Sequence, residues 1–349
     1  PAWAVLMNPP YGRVRLSPHD RERFSEVLYG HANLYGVFMA ASHQNLAENG
    51  VLAALVPTSF TAGRYFEPLR RVLTTSSRLH SIRFVEDRSG VFGSVLQETC
   101  MAVFTRSKIR KTRVTSTGSR VSEIAKVATP TGGAPWLLPR RADLAPIAAS
   151  AAALPARLSE LGWKVSTGPL VWNRRRDDLY RHAGAERYVV LWAADIDGGA
   201  VHRDPARAAT RYLKLHGDAD RRVMLLREGS VLVQRTTSPE QRRRLVGAVL
   251  SVEMLEELGG AVVVENHVNV LRPATTDPTL SASLLGRLLA TETMDQVVRC
   301  ISGSVALSAY ELESLPLPSL EVLMEWNSLE GPALEVAVAD LYRRMLLDS

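Results

Sequence analysis

The first hundred residues predict an α/β domain with a mostly parallel sheet, and three features carry that prediction. Apolar strand-length runs alternate with helical ones through residues 1–105. One run, VLAALVP at 51–57, is continuously apolar, as in a strand covered on both faces. The first run, AWAVLM at 2–7, stops at Asn8-Pro9-Pro10-Tyr11-Gly12. Two consecutive prolines lack N–H groups and fix φ, so no strand continues through them.

The elements follow in order. AWAVLM is a strand and NPPYG a loop. PHDRERFSEVLYG and NLYGVFMAASHQNLAENG read as helices, the second closing on Gly50. After the strand at 51–57 come a helix over about 66–75 and strands at 80–86 and 98–104, the last two joined by the loop DRSGVFGSVLQ. Residues 108–150, basic and rich in Ser, Thr and Gly, read as a linker with at most one short strand. Residues 151–330 form a second, mixed domain of short β-branched runs, and 331–349 a C-terminal helix.

The 349 residues suffice for two domains, and 46% apolar with 22% charged content is ordinary for a globular chain. No run reaches the roughly 18 apolar residues of a membrane span, and no signal peptide is visible. Cys100 and Cys300, both in apolar runs, read as buried thiols of a reducing, cytoplasmic compartment. The net charge of +6 is unevenly spread: +2 over residues 1–100, +7 over 101–150, +7 over 151–250 and −10 over 251–349. A basic middle suits a polyanion such as nucleic acid, though a solvated basic face has the same composition.

The corner at residues 8–11 fits one chemical task well. An exocyclic amine on an aromatic ring is a poor nucleophile because its lone pair is delocalised. The Asn8 amide oxygen and the Pro9 carbonyl, both accepting from that amine, would draw it toward tetrahedral geometry and free the pair. Pro10 stiffens the carbonyl's direction, and Tyr11 stacks on the ring or is a turn aromatic packed on its own domain. The groups stand at the C-terminal end of a strand, where open α/β sheets bind ligands.

Asn-Pro-Pro-Tyr after an apolar strand resembles motif IV of the amino-methyltransferases that use S-adenosylmethionine. The stretches NLYGVFMAASHQNL, GVLAALVPTSF and VFGSVLQETCMAVF, in that order, resemble the γ class of DNA adenine-N6 methyltransferases, in particular Eco57I-like and BsuBI/PstI-like modification enzymes. KVSTGPLVWNRRRD, VLVQRTTSPEQRRRLVGAVL, VVVENHVNVLRP and CISGSVALSAYELESLPLP resemble that group's target-recognition domain. The resemblance implies the second half of a Rossmann-like S-adenosylmethionine-dependent sheet, followed by a mixed α+β recognition domain for duplex DNA. It implies that Asn8 and Pro9 hold the target amine, that Tyr11 stacks on a flipped adenine, and that Phe92 packs against the same base. A base inside a duplex is out of reach, so it must be extruded.

The family's cofactor turn is Gly-rich, lies between strand and helix, and is trailed by an acidic residue after the next strand. STGPL, DIDGGA and ELGGAVVVEN are the glycine-bearing candidates, and none follows that order. The expectation is therefore half a methyltransferase, inactive alone, with the main S-adenosylmethionine site on an N-terminal half or a separate cofactor-binding subunit.

In the second domain, Arg174, Arg175 and Arg176, and Arg242 and Arg243, suit phosphates, with one of them available to read guanine. Arg235 and Thr236 end a strand, and Asn266, His267 and Asn269 lie near a strand edge as base readers or structural turn residues. Ser302 and Ser304 offer phosphate contacts or a plain turn. No cysteine–histidine cluster suggests a metal. Two alternatives stay open: an NPPY-type methyltransferase of RNA guanine or of a release-factor glutamine, and a non-catalytic DNA-binding specificity subunit.

Overall fold

The computed structural model describes residues 1–85, 98–118, 120–237, 241–276 and 278–344. The chain divides into two compact units: residues 1–153 with 296–304 and 342–349, and residues 154–295 with 305–341.

The first unit is built on a six-stranded sheet. Its strands are β1 (Ala2–Met7), β4 (Leu46–Pro57), β6 (Thr99–Thr105), β5 (Arg78–Val85), β7 (Lys111–Thr117) and β8 (Val121–Ala128), in that spatial order. A small hairpin of β2 (Arg13–Val14) and β3 (Ala32–Asn33) flanks α1 (Pro18–Arg23), and α2 (Leu34–Gln44) and α3 (Glu67–Ser76) follow. Along β4 the side chains alternate: Leu52, Ala54 and Val56 are buried, whereas Val51, Ala53 and Leu55 are partly open. The inward set joins Leu79, Ile82, Phe84, Cys100, Ala102 and Phe104, with Tyr35, Met39, Leu69 and Leu73 of α2 and α3, in one core.

The sheet is mixed, which corrects the expectation of a mostly parallel one. β1 with β4 and β5 with β7 are parallel, but β6 runs antiparallel to both β4 and β5, and β8 antiparallel to β7. The expected linker is likewise corrected, because residues 111–128 supply two strands. Its inward positions are Thr112, Val114 and Ser116, and Thr112 Oγ1 donates to the Leu79 carbonyl at 2.5 Å. Two of these three positions carry hydroxyls, so hydropathy conceals the strand. Nor does α2 run on to Gly50: it stops at Gln44, and the chain enters β4 at Leu46. Asn49 takes φ +60°, and a Cβ at Gly50 would stand 2.9 Å from the Ala47 carbonyl oxygen and 3.1 Å from that of Ala2. Gly50 is required by close backbone approach beside β1, not as a helix cap.

Among its described residues the second unit holds two two-stranded sheets and two larger ones. One is antiparallel, ordered Trp163–Thr167, Val268–Pro273, Ser230–Gln234, Gly247–Leu250. The other has five short strands, ordered Leu179–Tyr180, Tyr212–Lys214, Arg187–Leu191, Val262–Val264, Leu225–Leu226. Ser302 and Ser304, expected in the second domain, belong to the first unit.

Candidate active site

The corner at residues 8–11 leaves the end of β1, whose last pairing is Met7 with Ala54 of β4. Asn8 is exposed, Pro9 buried and Pro10 exposed, so the first proline anchors the loop and leaves the amide outside. Among the described residues the Asn8 side chain has no hydrogen-bond partner. Gly12 takes φ +118°, and its carbonyl accepts from the Leu34 N–H at 2.9 Å, turning the chain into the β2–β3 hairpin.

Tyr11 is half-buried, and its hydroxyl donates to the Leu55 carbonyl at 3.1 Å. Its ring meets Tyr35 edge-on at 6.0 Å, and Tyr35 stacks on Phe66 at 4.9 Å and exchanges a 2.8 Å hydrogen bond with Ser59. Burial, with the nearby Cys100 thiol, raises the Tyr11 pKa above its ordinary value, so the hydroxyl keeps the proton it donates. Arg70, fully buried, braces the turn after β4 by donating to the carbonyls of Phe60, Gly63 and Gly133 at 2.8–2.9 Å. Sequence reasoning missed Tyr35, Ser59 and Arg70, since nothing in their spacing marks them as supports for a loop far away in the chain.

A groove of about 430 Å³ lies beside Asn8 on the sheet face opposite α2 and α3. Leu6, Ala53, Leu55, Met101 and Val103 line it, with Ser81, Arg83 and Thr115 at its far side. Among the described residues it contains no carboxylate to hold a ribose diol and no glycine-rich turn, so these residues do not fit S-adenosylmethionine as its main site. Phe92 lies outside the described residues. Both thiols are free and buried, and burial pushes Cys300 up to about 12, so neither is a nucleophile at neutral pH. Among the described residues no cluster of potential metal ligands occurs, and no helix is long and apolar enough to cross a membrane.

In the second unit the expected DNA-contacting residues separate into two groups. Arg175 is consumed internally: Nε reaches Asp178 at 2.7 Å, its two terminal nitrogens grip Asp220 at 2.9 Å each, and the Lys214 carbonyl accepts at 3.1 Å. Arg243 donates to the carbonyls of Leu245, Leu289 and Thr291, at the end of the helix Ala282–Leu289. Asn269 is fully buried and donates to the Leu307 carbonyl at 2.8 Å. In the first unit Ser302 is buried, its hydroxyl 3.4 Å from that of the exposed Ser304. Arg175, Arg243 and Asn269 thus direct these side-chain hydrogen bonds to groups within the unit, whereas they were expected at a DNA surface.

Arg174, Arg176 and Arg242 are exposed, Arg176 lying 5.1 Å over the Trp172 ring. Arg235, Thr236, Asn266 and His267 are brought together where Ser230–Gln234 ends beside the Glu265–His267 turn. The Arg235 N–H donates to the His267 carbonyl at 2.7 Å, and its guanidinium to the Asn266 carbonyl at 3.3 Å. His267 is half-exposed and bonded through Nδ1 to the buried Glu265 at 2.5 Å.

This chain, with its mixed α/β sheet and an exposed asparagine in a proline-stiffened corner at a strand end, has restriction–modification methyltransferases as its relatives. Residues 3–92, which contain the corner, match the family model described as Eco57I restriction-modification methylase. Over nearly its whole length the chain is homologous to Type II methyltransferases. M.PstI of Providencia stuartii is 24% identical over 335 residues, 91% of this chain and 65% of that protein. M.BsuBI of Bacillus subtilis is 23% identical over 333 residues, 92% of this chain and 66% of that protein. The chain therefore spans just under two thirds of these relatives. Among solved structures, the Type IIL restriction-modification enzyme MmeI, in complex with DNA, aligns with a TM-score of 0.51 and 11% identity, covering 98% of this chain and 53% of that one. At that identity the likeness is one of fold.

Proposed function

We propose that this chain is the catalytic-corner and target-recognition portion of a site-specific DNA methyltransferase, which moves a methyl group from S-adenosylmethionine to the N6 amine of an adenine flipped from duplex DNA. The observation that carries this is the exposed, unpartnered Asn8 amide at the end of β1, beside a Tyr11 ring held from below. In this scheme the Asn8 side-chain oxygen and the Pro9 carbonyl accept from the two amine hydrogens, localising the nitrogen lone pair toward the incoming methyl. Tyr11 supports one face of the adenine. No strong base is needed before transfer, since the proton leaves a nitrogen already made cationic.

The main cofactor turn is assigned to a polypeptide outside these 349 residues. The bare sheet face supports this: Leu6 is 82% and Met101 38% exposed. Parallel strands normally have both faces covered, so an uncovered apolar face asks for a further layer. The exposed Arg174, Arg176 and Arg242 serve phosphates, and Arg235, Thr236, Asn266 and His267 face the bases.

The test supplies the cofactor-bearing polypeptide and follows labelled methyl transfer to duplex DNA, RNA and release factor. Label on adenine N6 of duplex DNA is expected, with at least a hundredfold loss in Asn8→Ala at unchanged DNA affinity. Label on RNA or protein alone, or loss of DNA binding in Asn8→Ala, would overturn the proposal.

A further inference from the structure

The arginine runs that dominate the sequence are partly used inside the fold, but cations scattered along the chain converge elsewhere. Arg181, His182, Arg203, Arg211 and Tyr212 line an open cleft of about 290 Å³ in the second unit, and among the described residues no carboxylate lines it. We propose that this cleft grips the phosphate backbone of duplex DNA; the assignment rests on the reading of DNA as substrate and adds a contact surface to it.

The cleft is prepared for an anion. Arg181, His182 and Arg203 are exposed, and neither Arg181 nor Arg203 has a carboxylate partner among the described residues. Nearby acids are turned to other work. Asp195 is fully buried and accepts from the N–H groups of Trp192 and Asp204 at 2.8 and 2.7 Å, while the Asp204 carboxylate caps Ala206. Arg211 forms the floor, its side chain 12% exposed. It donates to the Asp204 carbonyl, and its Nη1 lies 3.7 Å from Asp195, without a hydrogen bond. The Arg203 guanidinium lies 5.3 Å over the Tyr212 ring, which limits its freedom before any ligand arrives. That stacking also occupies one face of the ring. A phosphate, taking bidentate contacts from guanidinium forks, is the matching ligand.

The 349-residue chain is titrated against duplex DNA by fluorescence anisotropy across a salt series, alongside Arg181→Ala/Arg203→Ala and Arg181→Lys/Arg203→Lys. Each lost phosphate contact flattens the slope of log affinity against log salt by about 0.9, so the alanine pair should flatten it by roughly 1.8, equally on unrelated sequences. The lysine pair, keeping the charges, should retain the slope. An unchanged slope in the alanine pair, or equal flattening in the lysine pair, overturns the cleft while leaving DNA as substrate intact. A wild-type chain that binds structured RNA through the cleft but not duplex DNA overturns both.

Discussion

Tyr11 commits its hydroxyl to the Leu55 carbonyl, so what it can offer a ligand is the ring. Tyr11→Phe therefore keeps the functional part and loses one half-buried hydrogen bond, a cost of about 1 kcal/mol in unfolding free energy. Tyr11→Ala removes a stacking surface worth about 1–3 kcal/mol per base, so methyl transfer in the reconstituted enzyme should fall some 5- to 150-fold. Thermal melts and labelled transfer on the two variants check this. If Tyr11→Phe lost as much transfer as Tyr11→Ala, the hydroxyl and not the ring would be the working group. The corner was legible because its prolines act through covalent geometry. Its support was not, because Tyr35, Ser59 and Leu55 reach it only after β1 and β4 pair.

Strings of arginine look alike on paper but are sorted by what packs beside them. Arg175 has two carboxylates within 2.9 Å, and its side chain is 19% exposed. The guanidinium's hydrogen bonds hold Asp220 below the usual carboxylate range. Asp178 is held below it too, hydrogen bonds from His216 and Arg175 outweighing the burial that opposes them. Arg175→Ala should therefore cost about 2 kcal/mol of stability, since it strands a partly buried pair of acids. It should leave the salt dependence of DNA binding in place. Chemical denaturation and a salt titration of the same variant separate these effects; a flattened slope with full stability would return Arg175 to the DNA surface. A local reading of WNRRRDD had no access to Asp220, which comes from far along the chain. The strand at Lys111–Thr117 escaped for a related reason: Thr112 is buried only because Leu79 offers its carbonyl.

The fold as a unit also sets a pH dependence. His43 is 3% exposed and lies 3.1 Å from the Ser77 hydroxyl. Burial, reinforced by the Arg106 guanidinium, lowers its pKa to about 4 from 6.5. In the folded state it is neutral down to that value, whereas the unfolded chain takes up the proton near pH 6.5. Stability is therefore complete above about pH 6.5 and is lost as pH falls toward 4. At 1.36 kcal/mol per pH unit, the loss between pH 7 and 5 is about 2 kcal/mol. Denaturation midpoints at the two pH values should differ more in the wild type than in His43→Gln; equal differences would mean that His43 titrates normally.

Alternating apolar runs, the double proline and the position of the NPPY corner act through neighbours in the chain, so the α/β class and the candidate catalytic residues were written in the amino-acid order. Strand directions, the fate of each arginine and the convergence of Arg181, Arg203 and Arg211 depend on side chains that meet only when distant segments fold together. Charge is a property of composition, but whether a cation meets a carboxylate, a carbonyl or solvent is a property of the assembled structure.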